Sequence, residues 1–283
     1  MKIPKRIQSL VEYGLVDEVI SRMMSGKEAD VYVVGSGSEI LCAKVYKEAS
    51  KRNFKKAVQY TEGRKVRNSR RNRAIQKGSN FGRKEQEEIW QNAEVDALYK
   101  LAAAGVRVPK PSTCVDGVLL MELVTDGEGQ IAPRLGDVSM TRDEAMLYHA
   151  MVIQDVVRML CVGVVHGDLS EFNVLLDQFG PVIIDLPQAV DAAANNNAEA
   201  MLQRDVENMR HYFGQFAPEL LATQYDKEMW ELFELGTLHP ESMLTGEYQD
   251  KTKKADVGAV KAQIKAAYDE EQARLERLKE SGV

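Results

Sequence analysis

Val164-Val-His-Gly-Asp-Leu-Ser-Glu-Phe-Asn173, followed shortly by Val182-Ile-Ile-Asp185, decides the reading of this chain. An aspartate, an asparagine five residues on, and an apolar strand ending in a second aspartate form a polar layout suited to moving a phosphoryl group from ATP. That reaction asks little covalent chemistry of a protein. It asks for a positioned acceptor and for phosphate charge to be neutralised. Asp168 is the candidate catalytic group, accepting or orienting the proton of an attacking hydroxyl. Asn173 and Asp185 are the candidate metal ligands, hard oxygens for one or two Mg2+ ions. The plainer reading is a buried His166–Asp168 pair beside unrelated polar residues.

The nucleotide then belongs upstream. Lys44 interrupts the apolar strand Ile40–Val45, so its ammonium needs a partner. Glu94 falls on a helical stripe with Trp90, Ala97, Leu98 and Leu101. An acid in an apolar stripe is costly unless paired. A Lys44–Glu94 pair answers both needs and aims the lysine at the α- and β-phosphates. The alternative is a Glu94 that flanks the stripe and faces water. Ser25-Gly-Lys-Glu-Ala-Asp-Val-Tyr32 lies just before the hairpin that bears Lys44 and is the candidate phosphate-covering loop.

Around these motifs the periodicity changes twice. Apolar residues at helical spacing predict short amphipathic helices over 5–23. Alternation predicts a strand hairpin over 29–46, turning at Gly35–Ser38. A helix is expected from about Lys84 to Ala104, then a strand pair, Thr113–Val115 with Val118–Leu123, around Asp116-Gly117. Asp126-Gly-Glu-Gly129 reads as a linker between halves. Thr141 with Glu144 makes a capping box for a helix reaching about Cys161. Short buried strands are expected at Asn173–Leu176 and Val182–Ile184, and helices at Glu199–Phe213, Lys227–Leu235 and Ala255–Lys279. The prediction is an α+β chain in which a small sheet-rich half precedes a larger, mainly helical half, joined near residue 125.

The chain has 283 residues and a formal charge of −6, with 44% apolar and 28% charged residues, the mix of an ordinary globular protein. Disorder throughout is excluded by that apolar fraction. No apolar run approaches the ~20 residues of a membrane span, so no membrane partner is expected. Met1–Leu10 carries charge but no apolar h-region, so no signal peptide is read. Cys42, Cys114 and Cys161 are odd in number, far apart and never in a CxxC pair, which argues against a disulfide framework or zinc site and for a reducing cytoplasm. The modest net charge hides an asymmetry. Residues 47–84 hold fourteen Lys and Arg against only Glu48 and Glu62. Such a block suits phosphates, nucleic acid or an acidic partner, or is simply a solvated loop. Its few aromatics favour phosphate contact over base stacking.

Taken together these motifs resemble the RIO family of atypical serine/threonine protein kinases, most closely its first subfamily in a bacterial-type form. Ser25–Tyr32 resembles that family's phosphate loop, His166–Asn173 its catalytic loop, Ile184-Asp-Leu-Pro-Gln188 its metal loop and Leu202-Gln-Arg-Asp-Val-Glu-Asn208 its next helix. The resemblance spans roughly residues 10–215. It implies a bilobal, protein-kinase-like fold with a small sheet-rich N-lobe and a larger, mainly helical C-lobe, divided into N-terminal helices over 1–24, an N-lobe over 25–124 with a basic insertion at 47–84, a C-lobe over 125–250 and a helical tail over 251–283. It implies ATP and Mg2+ between the lobes, with Mn2+ as a substitute. It assigns Ser25, Gly26, Lys27, Glu28, Ala29, Val31, Lys44 and Glu94 to the nucleotide, with the backbone of Met121, Glu122, Leu123 and Val124 lining the adenine pocket. It also implies that Asp185 can take up phosphate itself, and that a ribosomal particle or RNA is a partner through 47–84. Unlike ordinary protein kinases, the phosphate loop has one glycine, the metal loop reads Asp-Leu-Pro, and no activation segment fits before Arg204-Asp205. Two other classes stay open: a small-molecule kinase of the aminoglycoside or choline sort, and a nucleotide-gated RNA- or ribosome-binding factor. His149, His211, His239, the cysteines and the methionines are read as packing or surface, and the sequence sets no oligomeric state.

Overall fold

The computed structural model describes residues 3–26, 29–47 and 93–248. The chain divides into two units, Met1–Gly246 and Glu247–Val283, and every element below lies in the first. The basic insertion beyond Lys47, the start of the helix expected at Lys84 and the helix expected at 255–279 fall outside the described residues.

A five-stranded antiparallel sheet forms the first half. Its strands are β1 (Glu18–Ser25), β2 (Ala29–Ser36), β3 (Glu39–Tyr46), β4 (Pro111–Val115) and β5 (Val118–Glu122), in the order β1-β2-β3-β5-β4. Side chains on a strand alternate between faces, and here that alternation separates two jobs. Tyr32, Val34, Ala43, Val45, Val118 and Leu120 face one way and pack with Ile7, Leu10 and Val16 of the N-terminal segment. Lys44 and Tyr46, out of phase with Ala43 and Val45, face the other way. In register, Lys44 lies between Val31 of β2 and Leu119 of β5. The β4–β5 turn is Asp116-Gly117, both at positive φ (50° and 72°), the backbone that a two-residue hairpin requires and that Asp-Gly tolerates best.

The N-terminal helices predicted over 5–23, and hence over 1–24, are corrected. Among the described residues of this stretch only α1 (Gln8–Glu12) is an α-helix, and 18–25 is strand β1. Val19 is the one buried residue of β1, and two register shifts against β2 break its alternation. An edge strand of that kind carries no period-2 signal, so Val19 and Ile20 extended a false helical pattern. Ser25–Tyr32 therefore begins at the end of β1, with its last residues in β2.

A helix described over 93–103, α2, follows. The second half is built on α3 (Arg142–Cys161), α4 (Ala198–Gly214) and α5 (Tyr225–Glu234), with two strand pairs, β6 (Val164–Val165) with β9 (Val190–Asp191) and β7 (Val174–Asp177) with β8 (Gly180–Ile183). α3 runs through the main core, burying Val152, Val156, Val157, Met159 and Leu160. Its N-terminus is the expected capping box: Glu144 N–H donates to the Thr141 hydroxyl, and the Glu144 carboxylate accepts from Thr141 N–H at 2.8 Å. Thr141→Ala should lower the unfolding free energy by about 1 kcal/mol, measurable as a shifted denaturation midpoint. An unchanged midpoint would mean the cap is not formed in solution. Among the described residues no helix is long and apolar enough to cross a membrane.

The halves join where β5 leaves the sheet at Glu122. Val124, Ala132 and Val182 form a small apolar cluster there. Arg107, in the segment that follows α2 and precedes β4, makes a second tie, to β7 and β8. Its carbonyl accepts from Ile183 N–H at 2.8 Å, and its guanidinium grips both Asp177 oxygens at 2.6 Å.

Candidate active site

The cleft between the halves gathers residues far apart in sequence. From β3, Lys44 Nζ donates to Glu94 Oε1 of α2 at 2.6 Å and to Asp185 Oδ1 beyond β8 at 2.7 Å. Lys44 is 8% exposed and Glu94 2%, so the pair is desolvated. Burial alone would push the lysine down. The two carboxylates outweigh it and raise the pKa, keeping the ammonium charged. Asp185 keeps 44% of its side chain exposed; the desolvation it does suffer favours the neutral form, yet the adjacent Lys44 holds its carboxyl below the usual range. The backbone of Asp185 sits at φ 65°, uncommon for a residue other than glycine and a conformation that clusters at functional sites.

Tyr46 completes this constellation and was not expected from sequence. Its hydroxyl donates to Glu94 Oε2 at 2.6 Å, so both oxygens of Glu94 are engaged. Two positions beyond Lys44 on a strand means the same face, which was the available signal.

The phosphate-loop candidate is held at its base. Asp30 Oδ1 accepts from Ser25 Oγ at 2.6 Å and from Arg22 at 2.7 Å, with Lys47 Nζ 3.2 Å away. Lys47 also donates to the Gly26 carbonyl at 2.6 Å, and Gly26 N–H to the Ala29 carbonyl at 2.9 Å. Ala29 is buried and Val31 half-buried, while Lys27 and Glu28 lie outside the described residues. At the lobe junction, Glu122 N–H is taken by the Lys110 carbonyl and the Val124 carbonyl by Ala132 N–H. Among the described residues neither the Leu123 nor the Val124 N–H has a hydrogen-bond partner, so both are backbone donors that a base edge could meet.

The floor is the 166–173 loop. His166 Nε2 donates to the Ile184 carbonyl at 3.0 Å, and its Nδ1 accepts from Asp168 N–H at 3.3 Å. That is the neutral ring, in keeping with burial, which lowers its pKa. Asp168 is exposed to the cleft. Asn173 Nδ2 donates to the Asp168 carbonyl at 2.9 Å, so Oδ1 is the side-chain atom that could ligate a cation, and the Asn173 carbonyl accepts from Ile184 N–H at 3.0 Å. Asn173 and Asp185 thus offer hard oxygens from adjoining backbone. Among the described residues no cluster of three or more His, Cys, Asp or Glu could hold a metal. The donor set fits a cation such as Mg2+ that completes its shell with phosphate and water oxygens.

α4 grips this loop from below. Asp205, 1% exposed, accepts Gly167 N–H at 2.7 Å and Leu169 N–H at 3.0 Å. Arg204 donates to the Gly167 carbonyl, and Asn208 to that of Leu169 at 2.9 Å. Burial pushes the Asp205 carboxyl up to about 7 against those donors. Its folded pKa then lies above the unfolded value near 3.9, so its contribution to stability is greatest below about pH 4 and is lost as pH rises through 7. The stability advantage of wild type over Asp205→Ala should shrink by roughly 4 kcal/mol between pH 4 and 8. Denaturant unfolding of both proteins at the two pH values checks this, and a constant difference would contradict it.

The RIO domain family model matches residues 30–227 of this chain. Among similar proteins, the RIO-type serine/threonine-protein kinase Rio1 of Haloferax volcanii is 32% identical over 211 residues, covering 73% of this chain and 67% of that protein. The serine/threonine-protein kinase rio1 of Schizosaccharomyces pombe is 29% identical, covering 72% of this chain and 40% of its own length. The RIO-type serine/threonine-protein kinase Rio2 of Methanocaldococcus jannaschii is 31% identical, covering 74% and 73%. The chain spans less than half the length of the yeast relative.

Proposed function

The chain belongs to the RIO family, and from that premise we propose that it is an Mg-ATP-dependent phosphotransferase, a serine/threonine kinase that also labels itself or hydrolyses ATP. The observation that carries this reading is the position of Lys44, 2.6 Å from Glu94 and 2.7 Å from Asp185. A buried ammonium held by one carboxylate and aimed at another is built to meet anionic oxygens between them.

Lys44 binds the α- and β-phosphates, and Glu94 with Tyr46 fixes its direction. Ser25, Gly26 and the loop they begin cover the phosphates, and the Leu123 or Val124 N–H meets the adenine edge. Bound Mg2+, held by Asn173 Oδ1 and Asp185, would supply charge neutralisation on the phosphates. Asp168 takes the proton of the acceptor hydroxyl as its oxygen bonds to the γ-phosphorus, and the bond to the β–γ bridging oxygen breaks to release ADP. When no hydroxyl is in place, Asp185 is the alternative acceptor. Its carboxylate oxygen attacks the same phosphorus, ADP leaves, and water later hydrolyses the acyl phosphate, which amounts to ATPase turnover. Residues 25–124 and 125–250 would be the two lobes that enclose the nucleotide.

Incubation with γ-labelled ATP distinguishes the routes. Label on a hydroxyl survives acid and hydroxylamine, whereas label on Asp185 is released by hydroxylamine. We expect label of one kind or both, absent in Asp168→Ala for the ester and in Asp185→Asn for the acyl phosphate. A chain that transfers and releases no phosphate would overturn the reading. The basic segment supports a ribosomal or RNA partner only through its charge. Salt-sensitive co-sedimentation with small ribosomal subunits, lost on neutralising Arg70, Arg71 and Arg73, is the matching test.

A further inference from the structure

The backbone of the 166–173 loop is pinned by α4, by Asn173 and by Ile184, and Gln188 adds a contact to the Asp168 carboxylate itself. Its Nε2 donates to Asp168 Oδ2 at 3.1 Å. Gln188 is half-buried, three residues beyond Asp185, and flanked by buried Pro187 and Ala189, so its backbone is fixed by packing. The Leu186 carbonyl accepts from Ala189 N–H at 3.0 Å and closes this segment into a turn that aims position 188 back at the floor. The chain then passes through β9 into α4. His166 on its own loop and Asp205 of α4 lie within electrostatic reach of Asp168.

We propose that Gln188 is a positioning residue for the phosphoryl transfer: its amide donates to one oxygen of Asp168 and turns the carboxylate toward the acceptor hydroxyl. One short turn then carries both Asp185 and the group that aims Asp168, so the phosphate-side and acceptor-side carboxylates are set by the same piece of backbone. This inference rests on the assignment of Asp168 as the base.

The test compares full-length wild type, Gln188→Ala, Gln188→Glu and Asp168→Ala. It measures kcat and KM for ATP consumption and the affinity for a non-hydrolysable ATP analogue. Losing the orienting donor should lower kcat of Gln188→Ala about tenfold, a fraction of what a general base contributes. Gln188→Glu keeps the size but turns a donor into an acceptor facing a carboxylate, and should lower kcat about a hundredfold. Analogue affinity and KM should stay within about twofold in both. A role in packing alone predicts the opposite order, with the isosteric Gln188→Glu near wild type and Gln188→Ala worse. That order, or wild-type kcat in both variants, overturns the inference while leaving the function intact. If wild type consumes ATP and Asp168→Ala is equally active, the assignment of Asp168 fails and this inference with it.

Discussion

Lys44→Met should remove phosphoryl transfer, by at least a hundredfold, and should also lower the unfolding free energy by about 3 kcal/mol or more. Both effects have one origin. Methionine keeps most of the lysine stem, so the apolar contacts of β3 survive. What goes is the charge between Glu94 and Asp185. Asp185 has 44% of its side chain exposed and is hydrated in compensation. Glu94, at 2%, is not, and is left with only the Tyr46 hydroxyl among its described partners. An uncompensated buried carboxylate is among the costlier single-site defects. The double variant Lys44→Met/Glu94→Gln should recover most of the stability and none of the activity. Urea unfolding with rate measurements on the three proteins separates the two roles. A single variant that unfolds like wild type would show that the pair is not desolvated.

Asp168→Ala should behave differently. The maximal rate should fall about a thousandfold, within the range assigned to a positioned general base. Affinity for an ATP analogue should change by less than about threefold, because the side chain faces the acceptor rather than the phosphates. Stability should hardly move. Asp168 is exposed, and the loop backbone is held by Asp205, Arg204 and Asn208 rather than by its side chain. Equal losses of rate and nucleotide affinity would instead make Asp168 a phosphate or metal contact.

These two contrasting outcomes follow from how each residue could be read in the sequence. Lys44 and Glu94 stood out because each breaks an apolar pattern, and two such breaks on neighbouring elements need one another. Asp168, Asn173 and Asp185 stood out by type and spacing. The Asp116-Gly117 turn and the Thr141–Glu144 cap were legible because their signals are local. What escaped was set by long-range pairing. β1 is a strand because β2 takes up its backbone groups, while its side chains, mostly exposed, carry no alternation. Asp205 and Gln188 act on residues distant in sequence, on Gly167 and Leu169 and on Asp168, and nothing in their own surroundings announces those partners. Tyr46 was within reach of the strand period but only once Glu94 was known to have a second oxygen facing it.

The central claim is that Lys44, Glu94, Asp168, Asn173 and Asp185 converge on one triphosphate. A crystal structure of the full chain with a non-hydrolysable ATP analogue and Mg2+ tests it most directly. It should place the β- and γ-phosphates between Lys44 Nζ and the oxygens of Asn173 and Asp185, with Asp168 facing the γ-phosphate. A nucleotide bound elsewhere, or Lys44 turned away from its phosphates, would contradict the account.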